Sequence, residues 1–172
     1  MKRLFTMDLM DYPEGLPRFR RPSVRAVIMA GAGIAMVHSK KFDYYKFPGG
    51  GIESGEDHVQ ALVREVREET GLSVIPDTVR ELGSVLRVQL SQYAADTVFE
   101  QENYYYVCEV TGSSGIQSLD DYEFDEGFKL EYITPQTAID VNRTHDHSGY
   151  DPQLVEREAL VLEYIMNNPV IL

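Results

Sequence analysis

The 172-residue chain has a single cysteine, Cys108. Without a second thiol no internal disulfide can form, and the chain is expected in a reducing, cytoplasmic compartment. It also has no run of eighteen or more apolar residues, so no transmembrane helix is expected. The N-terminal stretch "MKRLFTMDLMDYPEG" starts basic, but acids and Pro13 interrupt it before an apolar region develops. That is not the layout of a signal peptide. Basic residues are scarce, 16 Lys and Arg against 28 Asp and Glu, giving a formal charge of −12. A nucleic-acid coat protein needs basic surface, so nucleic acid is disfavoured as a general partner. A small phosphate-bearing substrate remains compatible, because acid clusters hold divalent cations and the cations bind phosphate. The positive charge that does occur is uneven, with Lys2, Arg3, Arg18, Arg20, Arg21 and Arg25 in the first segment.

The length suits one domain with a substantial core. Residues 1–21 carry Pro13, Gly15 and Pro17 and read as an arm or irregular lead-in, followed by a single domain over 22–172. Within it, "SVRAVIMA" (Ser23–Ala30) and "GIAMVHS" (Gly33–Ser39) read as strands bent around Gly31 and Gly33. Further strands are expected at Ser84–Leu90, Asn103–Val110 and Phe128–Ile133, with an acidic loop, "SLDDYEFDEG", before the last. A short helix is expected near Thr134, with Pro135 in its first turn, and a final one from Asp151–Pro152 to about Met166. Strands mixed with a few helices imply one sheet covered on both faces, an α/β layered domain.

The most informative stretch is "FPGGGIESGEDHVQALVREVREETGL", Phe47 to Leu72. From about Ser54 to Thr70 the pattern is helical: Val59, Leu62, Val63 and Val66 make one apolar stripe, Ser54 and Asp57 resemble a capping box, and Gly71 is a stop. Glu65, Glu68 and Glu69 lie away from the stripe, and like charges at that spacing repel. Left alone, such a cluster reads as a solvated face. Carboxylates at i, i+3 and i+4 on a rigid element also suit Mg²⁺, which takes hard oxygen ligands and relieves the repulsion.

Gly50, Glu56, Arg64, Glu65, Val66, Glu68, Glu69, Gly71 and Leu72 stand in the spacing Gly-x5-Glu-x7-Arg-Glu-(aliphatic)-x-Glu-Glu-x-Gly-(aliphatic). This resembles the Nudix box with no departure, and the preceding "FPGG" is similar to MutT-like members. The resemblance covers residues 47–72. It implies a Nudix-type α/β/α sandwich with a mixed β-sheet. It also implies a Mg²⁺-dependent pyrophosphohydrolase, with Mn²⁺ as a possible substitute, that cleaves a phosphoanhydride of a nucleoside diphosphate linked to a group X. By the same resemblance Glu65 and Glu69 are the first metal ligands with Glu68 beside them, the Gly49 carbonyl is a further ligand, and Glu56 is a supporting or second-metal carboxylate. Arg64 reads as a scaffold that pairs with Glu68 and orients the acidic face.

The general base stays open between Glu65 and later carboxylates: Glu102, or Asp120, Asp121, Glu123, Asp125 and Glu126 of the acidic loop, which also reads as plain solubilising surface. Tyr44, Tyr45 and Lys46 lead into the glycines, so Tyr45 and Lys46 are substrate-binding candidates, with strand packing the alternative. His145 and His147 read as a surface loop rather than a metal site, and Cys108 as core. Some subfamilies place a proline or tyrosine 15–18 residues past the box; here that window reads "LRVQ", Leu86–Gln89, and offers no support for the ADP-ribose or dinucleoside-polyphosphate classes. A MutT-like nucleoside triphosphate or a sugar nucleotide remains open as substrate. The rival functions are a non-catalytic Nudix-fold ligand sensor, which the intact set of box carboxylates disfavours, and an RNA 5′-end pyrophosphohydrolase, which the basic lead-in favours slightly. A homodimer is the expected assembly.

Overall fold

A computed structural model of the chain describes residues 1–31, 33–112 and 116–169. The first strands are β1 (Arg3–Asp8), β2 (Arg18–Arg20), β3 (Ser23–Val27), β4 (Met29–Ala30), β5 (Gly33–Ser39) and β6 (Tyr44–Lys46). Helix α1 (His58–Thr70) and β7 (Ser73–Val74) follow, then β8 (Arg80–Leu90), β9 (Val98–Val107) and β10 (Val110–Thr111). The chain continues through α2 (Asp121–Glu126), β11 (Lys129–Ile133), α3 (Pro135–Thr144) and α4 (Pro152–Asn167).

The fold is α/β with a mixed sheet, as the sequence implies, but the strands divide between sheets. β8 and β9 form an antiparallel pair, to which β1 adds in parallel beside β8, and β2 and β3 in parallel beside β9. β11, β5, β4 and β6 make an antiparallel second sheet, and β10 pairs with β7. The expectation of one sheet fails between β3 and β4: the continuous apolar run Ser23–Ala30 serves one sheet with its first half and the other with its second.

Alternation within β3 sets the layers. Val24, Ala26 and Ile28 pack with Ala61, Leu62 and Val66 of α1, whereas Val27 joins Ile34, Met36 and the α3/α4 residues Ile139, Leu162 and Ile165. Helices thus cover both faces. α1 starts later than Ser54, because Asp57 accepts from the Gln60 N–H while the Gln60 side chain accepts from the Asp57 N–H; that reciprocal cap fixes His58 as the first helical residue. Gly71 ends it in the left-handed conformation.

Two further expectations are corrected. Residues 1–21 are not an irregular arm: β1 and β2 belong to the sheet, and Leu4, Phe5 and Met7 pack against the core. The acidic loop contains α2, because Asp120 and Glu123 form a second capping box and Gly127 terminates it. Among the described residues no helix is long and apolar enough to cross a membrane.

Candidate active site

The site is built where α1 faces the loop after β6. Gly49 adopts φ +134°, and a Cβ there would meet the Val24 carbonyl at 2.2 Å; only glycine lets the loop lie this close to β3. At Gly50 a Cβ would meet the Glu65 carboxylate at 2.4–2.6 Å, so that carboxylate lies directly against bare backbone.

Arg64 organises the acidic face. Its Nε and Nη2 donate to the two carboxylate oxygens of Glu56 at 2.7 and 2.8 Å, and Nη2 also donates to the Gly51 carbonyl at 3.0 Å. Its Nη1 donates to Glu65 at 2.8 Å and Glu68 at 3.1 Å. Hydrogen bonding to this guanidinium holds the Glu56 carboxyl down at about 2. Burial pushes Glu65 above its ordinary value against the pull of Arg64, Arg25 and Lys46. Glu69 turns inward, pairing with the Lys46 ammonium and accepting the Gly49 N–H at 2.8 Å; burial pushes its carboxyl up to about 7.

Two adjoining cavities open beside these groups. One, about 230 Å³, is acid-lined, with Glu65, Glu68, Asp120 and Glu123 on its walls. The other, about 350 Å³, is lined by Lys46, Arg25, Arg87 and several aromatic rings. They share Arg21, Gly50, Gly51 and Tyr122. Tethers from the segment before α2 to the end of α1 bring Asp120 and Glu123 to the first cavity: the Ser118 N–H donates to the Glu68 carbonyl at 2.9 Å, and the Gln117 amide to that of Glu69.

The structure therefore brings together Arg64, Glu65, Glu68 and Glu123 at the first cavity, with Glu56 held by Arg64, while Lys46 and Gly49 line the second and both bind Glu69. Glu65, Glu68 and Glu123, which share the first cavity, supply hard carboxylate oxygens that suit Mg²⁺, while Glu69 is buried against Lys46 and lines neither cavity. They do not converge as drawn: among the described residues no group of three or more acidic, histidine or cysteine side chains is gathered at metal-binding geometry. The Gly49 carbonyl accepts from Arg25 Nη1.

Other candidates face elsewhere. Along β9, Phe99 and Gln101 line the cation-rich cavity, so Glu100 and Glu102 point to the opposite surface, where Glu102 pairs with Arg3 at 2.5 Å. Glu126 accepts from Ser39 and Tyr44 at 3.0 and 3.1 Å. The Tyr45 hydroxyl donates to Glu131 and its ring stacks on His38, on the other side of β6 from Lys46. His145 pairs with Asp43, and His147 hydrogen-bonds to the carbonyls of Phe42 and Asn142, both on the surface loop after α3. Cys108 is core, its thiol pushed up to about 12 by burial. The residues missing from the sequence reading are Arg87, Gln101 and Tyr150, while Arg25 entered it only as part of the basic lead-in; for Arg87 the signal was a charge inside an otherwise apolar strand.

A family model for the NUDIX domain matches residues 19–154. The chain belongs to the Nudix family. It is 31% identical over 127 residues to a protein named RNA pyrophosphohydrolase from Xanthomonas campestris pv. campestris, a match over 67% of this chain and 61% of that relative. The chain thus spans about three-fifths of the length of the curated relatives it matches. Among solved structures it is similar to a Nudix hydrolase from Nitrosomonas europaea, with a TM-score of 0.59 at 18% identity, over 86% of this chain and 90% of that one. It is also similar to a MutT protein from Bacillus halodurans, with a TM-score of 0.56 at 18% identity, over 79% and 80% of the two chains. Those likenesses establish the Nudix fold.

Proposed function

We propose that this Nudix protein is a cytoplasmic Mg²⁺-dependent pyrophosphohydrolase acting on a nucleoside diphosphate derivative. The observation that carries the reading is the pairing of the acid-lined cavity with the cation-lined one across Gly50 and Gly51. One side suits a hydrated cation and the other the phosphate oxygens of the substrate. Glu65, Glu68 and Glu69, with the Gly49 carbonyl, would hold Mg²⁺ or, as a substitute, Mn²⁺. When bound, such a cation neutralises phosphate charge and makes a coordinated water more acidic. Arg64 keeps Glu56, Glu65 and Glu68 on one face and keeps Glu56 ionised. Lys46 and Arg25 bind and orient the diphosphate. Glu65, Asp120 and Glu123, the base candidates that face the acid-lined cavity, are positioned to accept the proton of the attacking water.

The test is a product-resolved hydrolysis screen with Mg²⁺ over nucleoside triphosphates, nucleotide sugars, dinucleotides and 5′-triphosphorylated RNA. Glu65→Gln should lower kcat on the preferred class by roughly two orders of magnitude or more. Turnover that survives both Glu65→Gln and Glu69→Gln would overturn the reading. A second reading, removal of pyrophosphate from RNA 5′ ends, is favoured by the name of the Xanthomonas relatives. The RNA arm of the screen decides it.

A further inference from the structure

Arg87 has no part in the acid-lined cavity, yet it is one of the most unusual groups in the molecule. It stands within β8 at 4% exposure, with its guanidinium carbon 5.2 Å from the centre of the Phe99 ring. Nη1 is ion-paired with Asp151 Oδ2 at 2.9 Å without making a hydrogen bond to it, and Nε has no hydrogen-bond partner among the described residues. Arg25, 6% exposed, also leaves its Nε unpartnered. A buried guanidinium with unmatched N–H groups is expensive unless a ligand supplies the acceptors.

Both arginines line the cation-rich cavity, together with Arg21 and Lys46; among the described residues no Asp or Glu lines it, and Asp151 is the carboxylate beside Arg87. A neutral sugar presents hydroxyls that need acceptors as well as donors, and carboxylates are the usual acceptors for them. This cavity offers chiefly donors. Arg87 Nε has no acceptor within the fold, and the guanidinium fork suits the terminal oxygens of a phosphomonoester. The Phe99 and Tyr93 rings, 5.7 Å apart, supply apolar wall beside them.

We infer that the Arg87 end of the cation-lined cavity is a second anion subsite that takes a phosphomonoester borne on the substrate outside its scissile diphosphate, so that the chain selects diphosphate substrates that carry one. The subsite is a property of the cavity, while its use in selection rests on the pyrophosphohydrolase reading. Arg87 is then a specificity-determining residue, separate from the groups that hold the scissile diphosphate.

Two measurements test it, each on wild type, Arg87→Gln and the charge-preserving Arg87→Lys. The first is thermal unfolding of metal-free protein with inorganic phosphate against chloride at equal ionic strength. Phosphate should raise the Tm of wild type, raise that of Arg87→Lys less, and leave that of Arg87→Gln unchanged. The second is hydrolysis with Mg²⁺ of matched pairs that differ by one phosphomonoester, coenzyme A against dephospho-coenzyme A and NADPH against NADH. The phosphorylated member of a hydrolysed pair should be favoured by roughly tenfold or more in kcat/KM, through KM, and the preference should fall to about twofold or less in Arg87→Gln. Phosphate protection that depends on Arg87, with no pair hydrolysed and no turnover of nucleoside triphosphates, nucleotide sugars or triphosphorylated RNA, would keep the subsite and remove the hydrolase reading. Equal phosphate protection in wild type and Arg87→Gln, or a pair ratio that the substitution leaves unchanged, would overturn the subsite.

Discussion

Glu69 is 1% exposed, with the Lys46 ammonium and the Gly49 N–H as partners. Burial outweighs those partners and Glu123 adds to it, so the carboxyl titrates at about 7 in the fold against an ordinary 4.5. The folded state therefore holds this proton more tightly than the unfolded chain. The resulting stabilisation is full below about pH 4.5 and is lost as pH rises through about 7. Between about pH 5 and about pH 8, metal-free wild type should lose on the order of 2 kcal/mol of unfolding free energy relative to Glu69→Gln, which cannot ionise. Urea titrations at the two pH values measure the difference, and a flat one would mean that Lys46 keeps Glu69 ionised throughout. At this scale the box glutamates were legible because helical spacing alone puts them on one face. Arg25 and Arg87 were not, because an arginine inside a strand reads the same whether it points to solvent or to a cavity. Register against β9 settles that, and register is non-local.

Among the elements, α4 does more than cover the sheet. The Glu158 carboxylate accepts the Phe47 N–H at 3.1 Å, just ahead of the glycines, and pairs with Arg157. Arg157 Nη1 in turn donates to Asn103 Oδ1 at 2.7 Å, and Ser23 donates to the same oxygen at 2.8 Å. Arg157 and Glu158 are fully buried, so the pair ties α4, β9, β3 and the loop carrying Gly49 into one network. Removing one partner leaves a buried charge uncompensated. Glu158→Ala should cost about 3–5 kcal/mol, and the double change Arg157→Met with Glu158→Leu should recover much of it. A double-mutant cycle by urea unfolding reads both numbers, and additive losses would show that the two charges are not coupled. The helix itself was legible from Asp151, Pro152 and the apolar period. Its ion pair was not, because adjacent opposite charges on a helix read as ordinary surface. The acidic segment carried its own capping box at Asp120 and Glu123, but a six-residue helix offers too little apolar period to separate it from a loop.

The whole molecule bears a charge of −12, and the basic lead-in that favoured RNA is partly neutralised within the fold. Arg3 pairs with Glu102, while Arg18 and Arg20 both pair with Glu100 at 2.6 and 2.9 Å, all on the sheet face turned away from the cavities. A polynucleotide seeking those arginines would have to displace carboxylates and approach an acidic surface. The 5′ end of an RNA and a free nucleoside triphosphate present the same phosphates to Lys46 and Arg25, so only the rest of the RNA chain can set the two apart. If the nucleotides downstream ran along Arg3, Arg18 and Arg20, three extra phosphate contacts would steepen the log–log salt dependence of binding by about 2. With those arginines already paired, the slope for a triphosphorylated RNA of about twelve nucleotides should match that for a nucleoside triphosphate to within about 1. Inhibition constants against the preferred substrate, measured across a salt series, give both slopes. An RNA slope steeper by about 2 would mean that the ion pairs on the outer face open to admit a polyanion, and it would move the substrate from a small nucleotide to an RNA end.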